Sequence, residues 1–203
     1  LAIVMPATVY GRKRRSEIAG SLSQWREEAG WGEKLAAAGL FAVLTALAAQ
    51  LKLFLPFTPV PLTGQVFVVL LAGFVLGRYG AVSMGMYLVA GAAFGWFSGA
   101  VGAAAFTGVT AGYLAGFVVS AALIGEMAQR HRNWSLRGIA VLMLAGDMII
   151  LLLGSLWLAA LLHIDLSSAL MLGAVPFLVV DALKIGAASS VGYLLAVHPS
   201  KES

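Results

Sequence analysis

No cysteine occurs among the 203 residues, which excludes disulfides and thiolate-bound metal alike. Charge is scarce as well: Asp, Glu, Lys and Arg make up 11% of the chain, where a soluble domain carries about 25%. Histidine is limited to three residues and no HExxH pair is present; His163 with Asp165 offers only two ligands, a weak metal site. There is no GxxxxGK[ST] loop to cradle nucleotide phosphates, and no nucleophile–base arrangement can be read. Arginine ladders and acidic rings, the marks of voltage sensors and cation pores, are missing too. These absences point away from an enzyme, an ATPase and a channel, and they call for no cofactor.

What is present is apolar. Hydrophobic residues make up 61% of the chain and the mean hydropathy is +0.94, so a bilayer is a better solvent for it than water. The 24 glycines suit closely packed transmembrane helices. A net charge of +4 raises the question of nucleic acid, but the basic residues are not spread as a binding patch. Arg12, Lys13, Arg14, Arg15, Arg26 and Lys34 precede residue 35, and Arg130, Arg132 and Arg137 share one short loop. They read as membrane-orientation signals.

Residues 1–34 form a polar tail, expected to be cytoplasmic, with a short amphipathic helix at SLSQWREEAGW; residues 198–203 form a second short tail. Between them, residues 35–197 hold apolar runs near the length of about 20 residues that a membrane helix needs. The runs are Leu35–Leu55, Leu62–Tyr79, Ala81–Phe97, Ala111–Ala128, Gly138–Leu162 and Pro176–Val197. Six spans put both ends on one side, and the loops agree: PFTPVP, SGAVGAAAFTGVT and HIDLSS carry no Lys or Arg, whereas the tails, the Arg78 turn and QRHRNWSLR do. The expected architecture is an all-α integral membrane protein, a compact six-transmembrane-helix bundle with both termini cytoplasmic. PFTPVP, with three prolines, is expected to be a stiff extended turn. SGAVGAAAFTGVT reads as a cap over a cavity, and His163–Val175 as a segment at the interface or folded back over the bundle.

Charges inside the apolar runs are few. In PFLVVDALKIG, Asp181 and Lys184 are three residues apart and share a helix face. Pro176 suits the first turn of a helix, which places the pair in the outer half of the membrane. A structural ion pair is one reading. A ligand pocket is the other, with Lys184 donating to an anionic group and Asp181 accepting from N–H groups, because intramembrane charges mark substrate paths. Gln65 is a polar residue suited to the mouth of such a pocket, and Tyr87, Trp96, Phe97 and Tyr113 flank the outer loops as belt residues or ligand contacts. Asp147 is expected to reach the cytoplasmic interface, and Lys52 to snorkel at the outer one. Ala38, Ala42 and Ala46 form a small-residue stripe, which serves either packing within the bundle or docking of a partner.

FTPVPLTGQ followed by VVLLAGFVLGRYGAVSMGMYLVAG resembles the BioY family of biotin-binding membrane subunits, the substrate-capture components of energy-coupling-factor (ECF) transporters. LFAVLTA, GVTAGYLAGF, GSLWL and PFLVVDALK continue the resemblance in order, over roughly residues 35 to 195. It implies a six-helix bundle, a biotin pocket near the outer surface with Asp181 and Lys184 touching biotin, and a location in the cell membrane. It further implies that the Ala42–Ala46 stripe docks a transmembrane coupling subunit, joined by two ATPase subunits; some members of the family work without that module. Two departures stand out: the family's GPTGGY reads GVTAGY from Gly108 to Tyr113, and Ala100 stands where some relatives carry Asn. Competing readings are a capture subunit for another vitamin, an autonomous proton-coupled carrier using Asp181 or Asp147, and a scaffold with purely structural charges.

Overall fold

The computed structural model describes residues 20–98, 102–131 and 133–197. The basic cluster GRKRR, Ala100, Arg132 and the tail from residue 198 lie outside the described residues. The chain folds almost wholly into helices: α1 Gly20–Glu28, α2 Trp31–Gln50, α3 Gln65–Leu76, α4 Tyr79–Phe94, α5 Ala111–Arg130, α6 Leu136–Leu162, α7 Leu166–Gly173 and α8 Leu178–Val197. Two short 3-10 turns, Gly102–Phe106 and Val175–Phe177, precede α5 and α8.

Local chemistry sets the helix ends. Glu33 accepts from the backbone N–H of Gly30 before α2 (3.0 Å), and Ser135 accepts from Gly138 N–H at the start of α6 (3.1 Å); both satisfy donors that a first turn leaves unpaired. The run expected to span Leu35–Leu55 stops being helical at Gln50. Lys52–Leu53 pairs instead with Leu62–Thr63 in a two-stranded antiparallel hairpin, Lys52 opposite Thr63, and the prolines of PFTPVP lie in the loop between. The helix at the end of the chain begins at Leu178, after the Val175–Phe177 turn that contains Pro176.

Among the described residues, four stretches are long and apolar enough to cross a membrane: Trp31–Gln50, Ala111–Arg130, Leu136–Leu162 and the combined Leu166–Ala196. The runs around α3 and α4 form helices of 12 and 16 residues, which rise about 18 and 24 Å. The outward faces of α2, α4, α6 and α8 are apolar, with Leu40, Leu47, Val89, Val141, Val179 and Leu183 all exposed. Such a surface fits lipid rather than water.

Small residues let the helices close on one another. A Cβ at Gly112 of α5 would lie 2.3 Å from the Trp157 Cβ of α6, and one at Gly154 of α6 would lie 2.2 Å from the Tyr113 ring of α5. That mutual fit makes α5 and α6 a closely packed pair. Ala38, Ala42 and Ala46 are buried, in a helix that packs on α3 and α4. The stripe therefore serves packing within this chain, and the exposed side of α2 carries Leu40, Val43, Leu44 and Leu47 instead.

The amphipathic helix expected before residue 32 is α1, and one side chain ties it down. Arg26 donates to Val75 O (3.0 Å), Ala128 O (2.9 Å) and Phe74 O, carbonyls left without helical partners at the ends of α3 and α5. Its guanidinium lies 5.7 Å from the centre of the Phe74 ring, and burial pulls its pKa down to about 10.

Candidate functional site

Four helices, the hairpin and the loop after α4 enclose a cleft. The hairpin supplies Val60, Pro61 and Thr63; α3 begins in it with Gln65 and Val66. Ser98 comes from the loop after α4, Thr110, Tyr113, Leu114 and Phe117 from the start of α5, Ile150 and Leu151 from α6, and Phe177, Asp181 and Lys184 from the entry to α8. The lining is mainly apolar with a few polar groups converging on it.

Asp181 and Lys184 form the charged wall. Lys184 Nζ donates to Asp181 Oδ1 at 2.7 Å, and their side chains are only 13% and 2% exposed. The three-residue spacing places both on one face of α8, as the sequence implies. Asp181 has a second oxygen and Lys184 has further donors, so the pair can engage a ligand without dissolving.

Gln65 sits deeper than a residue at the mouth. It donates from Nε2 to the Tyr87 hydroxyl (2.7 Å) and accepts at Oε1 from Thr63 Oγ1 (3.1 Å). These bonds fix its amide beside the cleft. Tyr113 reaches across to α7 and donates to Gly173 O at 2.6 Å, so the segment after His163 is folded back onto the bundle. Lys52, at the hairpin, donates to Ser98 O at 3.1 Å and joins two edges of the cleft.

The structure thus brings Gln65, Tyr113, Asp181 and Lys184 together and leaves Tyr87, Trp96 and Phe97 out of the cleft lining. Tyr87 is fully buried as the hydroxyl partner of Gln65. Phe97 packs edge-on against both Tyr87 and Phe106, with centroids 5.5 and 5.6 Å apart. Trp96 lies against Phe94 at 5.6 Å. Tyr87 and Phe97 thus back the wall at Gln65. Thr63, Ser98, Thr110 and Phe177 line the cleft without having been singled out by sequence; Thr63, Thr110 and Phe177 lie within motifs, PLTGQ, GVTAGY and PFLVVD, that could have drawn attention to them.

Two further expectations change. Asp147 does not reach an interface: it is 1% exposed, and its Oδ1 has no hydrogen-bond partner. Asp165 caps α7, accepting from the backbone and hydroxyl of Ser168 and from Ser167, and these bonds hold its carboxyl well below the usual carboxylate range. No group of three or more metal-binding side chains is found among the described residues.

With this geometry in hand, residues 21–200 match the family model described as the BioY family. The chain belongs to the BioY family. The biotin transporter BioY of Thermotoga maritima is 36% identical over 80% of this chain and 95% of its own length. A probable biotin transporter BioY of Pyrococcus horikoshii is also 36% identical, over 73% of this chain and 87% of its own. A crystal structure of the S-component for biotin from an ECF-type ABC transporter shares the fold, with a TM-score of 0.74 at 23% identity, over 80% of this chain and 90% of that one. The chain is accordingly a mainly helical membrane transport protein, with the S-component fold.

Proposed function

We propose that this BioY-family chain captures biotin in the cleft beside Asp181 and Lys184 and passes it inward across the cell membrane. The observation that carries the reading is the buried ion pair on the wall of an otherwise apolar cleft. Two charges with unused hydrogen-bonding capacity in such a place suit a ligand that is apolar over most of its length and polar at its ends. Biotin has that form, with a urea-like head that donates N–H groups and a carboxylate tail. Lys184 is assigned to an anionic acceptor of the ligand, the tail carboxylate in the simplest arrangement, and Asp181 to the head. Gln65 and Tyr113 hold the neighbouring walls. The names of the relatives support biotin over another vitamin.

The six apolar runs are proposed to be six membrane crossings, with α3 and α4 completed by the turns at their ends and both termini cytoplasmic. In that arrangement the cleft opens outward and residues 35–197 form one membrane domain between two short tails. The chain has no phosphate-binding loop of its own, so ATP-driven uptake is assigned to an energy-coupling module of one transmembrane subunit and two ATPase subunits. The exposed Leu40–Leu47 side of α2, rather than the buried alanines, is the face of that helix open to such a subunit.

The test is equilibrium binding of biotin to the purified chain. Wild type is expected to bind, and Lys184→Gln to weaken binding by about tenfold to a hundredfold, the loss of one charge-assisted hydrogen bond. A folded Lys184→Gln with unchanged affinity would sink the pocket assignment.

A further inference from the structure

Asp147 is the one buried carboxylate that the biotin reading does not use. Its surroundings follow from the register of two antiparallel helices. Ser189 of α8 donates to the Met143 sulfur of α6 at 3.4 Å, so those two residues lie at one level. Four residues toward the cleft along each helix come Asp147 and Ile185, and four more bring Leu151 and Asp181, both of which line the cleft. Asp147 therefore sits one helical turn beneath the cleft wall, level with the neighbour of Lys184.

The charges at this depth do not balance. Asp181 and Asp147 are two carboxylates, and Lys184 is a single ammonium already bonded to Asp181. The helices packed around α6 add no second cation there. α3 and α7 contain no charged residue, and the only charged residues of α8 are Asp181 and Lys184. The charges of α5, Glu126 and Arg130, lie at its far end and are bonded to each other. Arg137 of α6 itself is ten residues away, about 15 Å along the helix. A buried carboxylate without a counter-charge is costly in the membrane interior. Asp147 Oδ1 is buried there without a hydrogen-bond partner, and so is Ser120 Oγ on the neighbouring helix α5. Ser120 Oγ packs so closely on Gly146, the chain neighbour of Asp147, that a Cβ there would lie 2.7 Å from it.

We propose that Asp147 is the seat of a monovalent cation, a proton or a sodium ion, bound together with the anionic ligand at Lys184. The linkage rests on the biotin reading; the cation site itself does not. When a ligand carboxylate reaches Lys184 it adds a third negative group to a cluster with one ammonium. A cation on Asp147 restores neutrality, so each species binds more tightly in the presence of the other.

The experiment compares full-length wild type and Asp147→Asn, which keeps the size of the side chain and removes its charge. Melting temperatures are read first without ligand, in a pH series and in a sodium series balanced with choline. Wild type is expected to melt higher as protons or sodium increase, relative to the variant, and the series that responds names the cation. Parallel behaviour of the two proteins in both series overturns the site. Biotin titrations follow in the same conditions. Wild-type affinity is expected to change by about tenfold per pH unit, or per tenfold change in sodium, in the range where one cation is linked, and the variant's affinity to stay level. Wild-type affinity flat in both series overturns the linkage. Absence of biotin binding under every condition overturns the biotin reading instead, while the melting series still decides the cation site. If Asp147→Asn does not fold, wild type alone decides: protons taken up per biotin, from heats in buffers of different ionisation enthalpy, together with sodium dependence, are both zero if the linkage is wrong.

Discussion

Two ion pairs of nearly equal length lie in very different settings. Lys184–Asp181 spans 2.7 Å with side chains 13% and 2% exposed, whereas Arg78–Glu126 spans 2.6 Å with side chains 69% and 31% exposed. Glu126 also takes Arg130 at 2.9 Å, so the exposed set is the larger network. Geometry alone would rank the two alike. Solvation separates them: water competes for every bond in the exposed network, while the buried pair has given up its hydration and depends on its partner. The pair that is costly to keep is the one at the cleft, where a ligand can use it. Arg26 is an intermediate case, a half-buried cation satisfied by backbone carbonyls rather than by an acid.

The largest effect is expected when the buried pair is broken from the cationic side. Lys184→Ala leaves Asp181 without its partner and Asp147 without nearby positive charge, and should destabilise the chain by about 3–5 kcal/mol. Thermal unfolding in detergent measures it. Asp181→Ala should cost less, because the flexible, partly exposed Lys184 can turn its ammonium toward the open cleft, and the Asp181→Ala/Lys184→Ala double variant should be more stable than Lys184→Ala. If Lys184→Ala melts with wild type, the contrast with the exposed network fails.

Arg26→Ala comes next, with an expected loss of about 1.5–3 kcal/mol as carbonyls at the ends of α3 and α5 lose a charged donor. Faster hydrogen exchange in α1 should accompany it, since the helix loses its tether. Tyr113→Phe removes a single neutral bond to Gly173 O and should cost about 1 kcal/mol, with the increase in hydrogen exchange centred on α7. Smallest of all is Arg78→Ala, for which the melting temperature should not move measurably. A clear drop there would mean that the exposed network is structurally important after all.

The helices and the charged pair are legible in the sequence for local reasons. Apolar runs, Pro176 and the i,i+3 spacing of Asp181 and Lys184 are properties of a few consecutive residues, and each left its mark on the fold. PLTGQ likewise put Gln65 beside the cleft. Legibility ended where a side chain's role depends on which neighbour it meets. Tyr87, Trp96 and Phe97 have the composition of ligand contacts, yet Tyr87 bonds to Gln65, Phe97 packs on Tyr87 and Phe106, and Trp96 packs on Phe94. The alanine stripe of α2 has the pattern of a docking face, yet it is buried because α3 and α4 pack against it.

Asp147 shows the division most clearly. By itself the sequence determined that this acid lies in an apolar run, since hydropathy is summed along the chain. Depth along that run suggested escape to an interface. Only the tertiary structure decided otherwise, because the register between α6 and α8 sets its level beside Lys184, and the packed helices bury it. Local pattern fixes which segments leave water; the packing of one helix on another fixes which of their polar groups are left facing each other.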